Sequence, residues 1–98
     1  MKLLTKELIK KLPPLYSQEN VEDPMAIVKF FDPCSNWTWY ATEFDGKDTF
    51  FGLVQGLEEE FGYFSLSELM GVKGRFGLGI ERDLHFKPTL VSELRNKQ

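Results

Sequence analysis

The chain has 98 residues and a mass of 11.4 kDa, with 42% hydrophobic and 28% charged residues. This length and composition predict one soluble domain spanning residues 1–98 and exclude collagen, a coiled coil and a disulfide scaffold. The single cysteine, Cys34, cannot form a disulfide within the chain. The charged N-terminus is not typical of a signal peptide, and no apolar run reaches the ~20 residues of a membrane span. We therefore expect a cytoplasmic protein without membrane contact.

The formal net charge of −3 is unevenly distributed along the chain. Residues 1–12 and residues 71–98 each carry +3, whereas residues 57–70 carry −4. Two interpretations stay open: the charges are solvated faces, or the surface is polarised and orients a charged partner. The acidic balance argues against a dedicated nucleic-acid binder.

The first predicted element is a short helix near the N-terminus. It begins at Thr5, a typical N-cap residue, and ends before Pro13–Pro14. Leucines at four-residue spacing form its buried stripe: Leu4, Leu8 and Leu12. Residues 15–24 follow as an acidic loop.

Strands are predicted in the middle of the chain, where β-branched and aromatic residues concentrate. The first three cover Ala26–Phe31, Trp37–Phe44 and Thr49–Gln55. The turn Asp45–Asp48 joins the last two of these as a hairpin. A fourth short strand, Phe61–Phe64, follows the acidic run Glu58–Glu60. That run is either a solvated loop or a contact with a basic partner surface.

A second helix is predicted after the fourth strand. Ser65 and Glu68 have the spacing of a capping box, so the helix starts there. It ends at Gly71, where a C-terminal glycine is typical. Residues 72–80 contain three glycines and are predicted to form a turned loop.

The C-terminal region completes an α+β fold. Glu81–Phe86 is predicted as a final strand and Pro88–Leu94 as a last helix. Because strands occupy the middle of the chain and helices its ends, we predict an antiparallel sheet of four to five strands with an N-terminal helix and short peripheral helices.

Several segments are distinctive in their order and spacing: Leu3–Thr5, Phe30–Pro33, Ser35–Tyr40, Phe50–Val54, Gly62–Leu69 and Ile80–Asp83. In these segments the chain resembles, over nearly its whole length, a small bacterial domain family of unknown function. Members of that family occur on plasmids, integrative conjugative elements and phages, sometimes fused to larger DNA-processing proteins. The resemblance implies a cytoplasmic accessory role in mobile-element biology. It carries over no catalytic or binding residue.

Aromatic residues form the strongest local feature, since 11 of the 14 lie within residues 30–64. Trp37 and Trp39 share one face of their strand and Tyr40 lies on the other. Either all these rings belong to the core, or one face presents a platform that stacks bases or anchors a protein. Two indole N–H groups are hard to satisfy in a small core, so we expect at least one Trp to be partly exposed. We place the candidate binding surface there, together with Asn36.

Basic side chains accompany the glycines of the C-terminal region, and three of them are candidate binding residues: Lys73, Arg75 and Arg82. A glycine loop with nearby arginines can hold a phosphate or a carboxylate, and an ordinary turn is the alternative. The spacing matches neither a P-loop nor a dinucleotide fingerprint.

One group of residues has catalytic potential. Glu81, Asp83 and His85 follow two-residue spacing, so in a strand they would line one face. Such a group could transfer protons or hold a metal, and structural ion pairs are the alternative. The sequence contains no stronger catalytic motif, so we predict no enzymatic activity, no metal and no cofactor.

These observations favour a small non-enzymatic protein-interaction domain of a mobile genetic element. Its partner would be a protein of host defence or DNA processing, and a second copy in a homodimer is an alternative. A single-stranded nucleic-acid-binding module is the hypothesis from another class. It would stack bases on the rings of Trp37, Trp39 and Tyr40 and hold the backbone with the basic residues. This hypothesis gains support if the rings and the basic residues lie on one surface.

Overall fold

The fold is built around a long β-hairpin whose turn is fixed by one carboxylate. The computed structural model describes residues 2–96, apart from the side chain of Arg75, and places β3 (Thr38–Phe44) and β4 (Thr49–Gln55) on either side of the turn. Asp45 Oδ1 accepts hydrogen bonds from the backbone N–H groups of residues 47–49 at 2.8–3.0 Å. These bonds lower the pKa of Asp45. The hairpin predicted from the sequence is confirmed.

The hairpin extends into a five-stranded antiparallel sheet in the order β5-β4-β3-β2-β6. The added strands are β2 (Val28–Phe31), β5 (Glu59–Ser65) and β6 (Glu81–Arg82). The predicted α+β fold, with four to five antiparallel strands, an N-terminal helix and short peripheral helices, is confirmed. β5 begins two residues earlier than predicted because Glu59 and Glu60 continue the pairing with β4.

The predicted strand Ala26–Phe31 is divided in the structure. Its first part is β1 (Met25–Ala26), which pairs with β7 (Thr89–Leu90) in a separate two-stranded sheet. The prediction of one continuous strand is therefore wrong. The predicted last helix is also too long, because Thr89–Leu90 pairs as a strand and only α3 (Val91–Leu94) is helical. Both differences arise from one long-range pairing that local propensity does not encode.

The predicted final strand Glu81–Phe86 is shorter than expected. It ends at Arg82, since the next residues form a turn in which Asp83 Oδ1 accepts the N–H of His85 at 2.9 Å. The Asp83 carbonyl also accepts the N–H of Phe86 at 3.3 Å. An Asp that bonds the backbone two residues on favours a turn over a strand.

Two short helices cover one face of the sheet, which we call the helical face. Thr5 caps α1 (Lys6–Lys11) by accepting the Leu8 N–H at 3.3 Å, and Ser65 caps α2 (Leu66–Gly71) by accepting the Glu68 N–H at 3.0 Å. Both predicted caps are confirmed. The core beneath them is apolar: Leu3, Leu12, Val28, Phe30, Ala41, Phe44, Phe50, Phe64, Leu69 and Ile80.

The opposite face is covered only in part, by the two-stranded sheet, α3 and the loop 15–24. A smaller core lies there: Ala26, Tyr40, Leu53 and Val91, with Phe86 and Leu94 packed against it. The remainder of this face carries exposed rings. None of the helices within residues 2–96 is long and apolar enough to cross a membrane.

Candidate interaction surfaces

Three connections of the chain meet at one end of the sheet. Phe31, Thr38, Gln55, Glu59 and Glu81 are paired in one row across the five strands. The residues that follow or precede this row therefore lie at the same end, which we call the loop end: 32–37, 56–58 and 72–80.

Trp37 lies at the loop end with 38% of its surface exposed. Its ring stacks on Trp39 with centroids 5.8 Å apart, and a Cβ on Gly56 would come within 2.5 Å of it. Trp39 is half-buried against the helical-face core. The prediction that at least one tryptophan is partly exposed is confirmed.

Two further large apolar side chains extend from the loop end into solvent. Leu57 and Phe76 are each 94% exposed. Phe76 has φ 61°, a left-handed conformation that bulky residues rarely adopt. Sequence patterns did not single out either residue, because each is an isolated apolar position within a turn.

The basic loop packs against the tryptophan loop. A Cβ on Gly74 would lie 3.1 Å from Cys34 Sγ, so the two loops are in contact. Lys73 is exposed and pairs with Gly79 across the base of this loop, and Arg75 begins the turn Arg75–Gly77. The fold thus brings Lys73 and the backbone of Arg75 to the end that carries Trp37 and the exposed Asn36.

Two of the candidate binding residues lie elsewhere. Arg82 is on the helical face, where its Nη1 donates to the Lys2 carbonyl at 2.8 Å. Tyr40 is on the opposite face, 7% exposed, with its ring centroid 5.7 Å from that of Phe86. Its burial, with smaller effects from Asp83 and Glu59, raises the pKa of Tyr40. The fold therefore separates Tyr40 from the two tryptophans.

The group Glu81, Asp83 and His85 is not aligned on a strand, since β6 ends at Arg82. The Asp83 carboxylate lies 3.7 Å from Lys29 Nζ and also accepts from the backbone, so it has a structural role. Within residues 2–96 no group of three or more His, Cys, Asp or Glu side chains could hold a metal ion.

A groove of about 330 Å³ opens on the uncovered part of the opposite face. We call it the aromatic groove after its rings: Tyr16, Phe51, Phe61 and Tyr63. Sequence analysis missed it because Tyr16 belongs to the loop 15–24, far in sequence from the strands. The alternation of aromatic residues in β4 and β5 was the available signal, and it does not reveal which face stays uncovered.

A buried carboxylate ties that loop to the sheet. Glu43 is 3% exposed and follows an irregularity in the β3–β4 pairing. Its two oxygens accept the backbone N–H groups of Tyr16 and Gln18, each at 2.8 Å. Tyr16 has φ 70°, so these bonds hold it in a left-handed conformation beside the groove.

A second carboxylate fastens the C-terminal segment to the start of β5. Glu59 Oε2 accepts from Gln55 Nε2 at 2.7 Å and from the Asn96 N–H at 2.8 Å. Glu59 Oε1 lies 3.7 Å from Arg95 Nε. Partial burial raises the pKa of Glu59, but these hydrogen bonds and the Arg95 charge outweigh it, so the net pKa lies below the ordinary value.

We expect acid to loosen this attachment. Because the pKa of Glu59 is lowered on folding, its contribution to the free energy of unfolding is present above the unfolded pKa and is lost as pH falls through the folded pKa. Chemical denaturation of the wild type and Glu59→Gln should differ near neutral pH and converge in acid. Glu60→Gln, on the other sheet face, is the matched control, and an equal pH dependence for both variants would contradict the assignment.

Comparison with known proteins assigns the chain to a family. The family model described as "Protein of unknown function (DUF2958)" matches residues 3–94. The chain belongs to this family. The matched region contains the loop end and the aromatic groove. No curated protein and no solved structure gives a significant match.

Proposed function

We propose that this chain is a small non-enzymatic protein-interaction domain and that the loop end is its docking surface. The observation that carries the proposal is the exposure of three large apolar side chains at one end of the sheet, Trp37, Leu57 and Phe76. Soluble monomers rarely expose such groups together, and clustered apolar exposure is typical of protein contacts.

The chemistry of the three side chains fits a protein partner. Aromatic residues are enriched at interface hot spots, where a partner excludes water from their apolar surface. Trp37 is supported from behind by Trp39 and Gly56, so little side-chain entropy is lost when it binds. Leu57 and Phe76 contribute little to the core, so their exposure has no evident structural benefit.

The proposal extends to the setting that the family resemblance implies. The domain would act in the cytoplasm as an accessory of plasmids, integrative conjugative elements or phages. Its partner would then be a protein of host defence or of DNA processing.

The test compares exposed apolar residues inside and outside the loop end. The tagged wild type, Leu57→Ala, Phe76→Ala and Leu84→Ala are used to capture partners from host lysate. We expect one specific protein whose recovery falls at least tenfold with the two loop-end variants and persists with Leu84→Ala, which is exposed elsewhere. Melting curves should stay unchanged, because exposed substitutions shift stability by only about 0.5 kcal/mol or less. Equal recovery with all variants would refute the proposal.

A second candidate function is supported by the contact between the basic loop and the tryptophan loop. A single strand would stack on Trp37 while Lys73 contacts its phosphates. Titrating a thymidine oligonucleotide while monitoring Trp fluorescence tests this function. Saturable quenching that weakens steeply with salt and is reduced by Lys73→Gln would favour it over the protein partner.

A further inference from the structure

We propose that the aromatic groove binds a Lys or Arg side chain presented by a basic, extended segment of a partner protein. The groove lies on the other sheet face from Trp39 and includes no residue of the loop end, so this proposal can be tested independently of the proposed function. The groove volume of about 330 Å³ is at the lower end of the roughly 300–1,000 Å³ of ligand pockets, which suits one side chain rather than a large ligand.

The rings of the groove pack against one another, two pairs edge-on and one pair stacked. Tyr63 packs edge-on against Tyr16 with centroids 6.5 Å apart and against Phe51 with centroids 4.9 Å apart, both at 63°. Phe51 and Phe61 are stacked at 6.3 Å. Aromatic rings attract a cation through their negative faces, so a groove lined by four rings is a suitable environment for one.

The charged side chains that line the groove itself are all acidic. Glu19, Glu22 and the buried Glu43 line the groove, and among the described residues no lysine or arginine lines it. Desolvation, then the neighbouring Tyr16 and the charges of Glu43 and Glu19, raise the pKa of Tyr63, which is consistent with a negative potential there. A cation therefore complements the charge of the groove, whereas an anion does not.

The chain already contains a cation–π contact next to the groove. The Arg95 guanidinium carbon lies 5.6 Å from the ring centroid of Phe61, in the adjoining hollow. Tyr16 is pre-positioned by the two hydrogen bonds from its loop to Glu43. A groove whose walls are fixed before binding loses little conformational entropy when a ligand enters.

The experiment titrates the full chain with a glycine-serine peptide containing two arginines, at constant ionic strength, and follows amide chemical shifts. The control peptide carries citrulline, which has nearly the shape of arginine without its charge. We expect saturable shifts at Tyr16 and Tyr63 with the arginine peptide and at least tenfold weaker binding of the citrulline peptide. Equal binding of both peptides, or shifts confined to other surfaces, would refute the proposal.

Variants separate the aromatic and acidic contributions. Tyr63→Leu should weaken binding of the arginine peptide at least fivefold, and so should the double substitution Glu19→Gln with Glu22→Gln. The peptide affinity of Tyr63→Phe should stay within twofold of the wild-type value. These side chains are exposed, so the variants should fold. Leu84→Ala, exposed outside both the loop end and the groove, should leave peptide binding unchanged. Two results would overturn the assignment of a basic partner. One is an unaltered peptide affinity in Tyr63→Leu, and the other is a concentration-dependent dimer of the wild type that the two Glu substitutions abolish.

Discussion

Replacing Phe50 with alanine should lower the free energy of unfolding by about 3–5 kcal/mol, the usual cost of truncating a fully buried phenylalanine. Phe50 is 0% exposed and lies at the centre of the helical-face core. Its ring centroid lies 5.4 Å from that of Phe30, 4.4 Å from that of Phe44 and 5.2 Å from that of Phe64. No small rearrangement can fill a cavity bounded by three large rings.

Urea denaturation followed by circular dichroism measures this loss directly. For a domain of this size each kcal/mol corresponds to a shift of about 4–8 °C in Tm, so thermal melts should agree. Phe76→Ala removes an equal side chain at a position that is 94% exposed and should change stability by about 0.5 kcal/mol or less. Similar losses for the two variants would contradict the burial assigned to Phe50.

Gly52→Ala should destabilise the domain by about 3 kcal/mol, at the upper end of the cost of overpacking. A Cβ at Gly52 would overlap the carbonyl oxygen of Tyr40 on the neighbouring strand. That oxygen belongs to the backbone in the middle of the sheet, so it cannot rotate away as a side chain would.

The chain offers a matched control for Gly52 directly across the sheet. Gly62 pairs with Gly52 in β5, and a Cβ there would meet nothing within 4 Å. Gly62→Ala should therefore be neutral or stabilise the domain by about 0.5–1 kcal/mol, since alanine restricts the unfolded chain more than glycine. Denaturant midpoints of the two variants give the comparison, and equal effects would disprove the close approach at Gly52.

The location of the binding surfaces depended on how the chain connections meet. Sequence analysis selected Asn36 and Trp37, which do lie at the loop end, because two tryptophans in three residues are difficult to bury in a small core. It gave no weight to Leu57 and Phe76, since a single apolar residue in a turn carries no periodic signal. It included Tyr40 as a stacking group, but α3 and the two-stranded sheet cover that face of β3.

The sequence by itself determined the local elements of this protein. The caps at Thr5 and Ser65, the turn at Asp45 and the alternation along β3 and β4 are signals within a few residues, and each predicted its element. Only the tertiary structure decided the pairing of Met25–Ala26 with the C-terminal strand, the anchoring of the loop 15–24 by Glu43 and the opening of the aromatic groove. These features join residues far apart in the chain, so the side of the sheet left uncovered depends on long-range packing that local propensity does not contain.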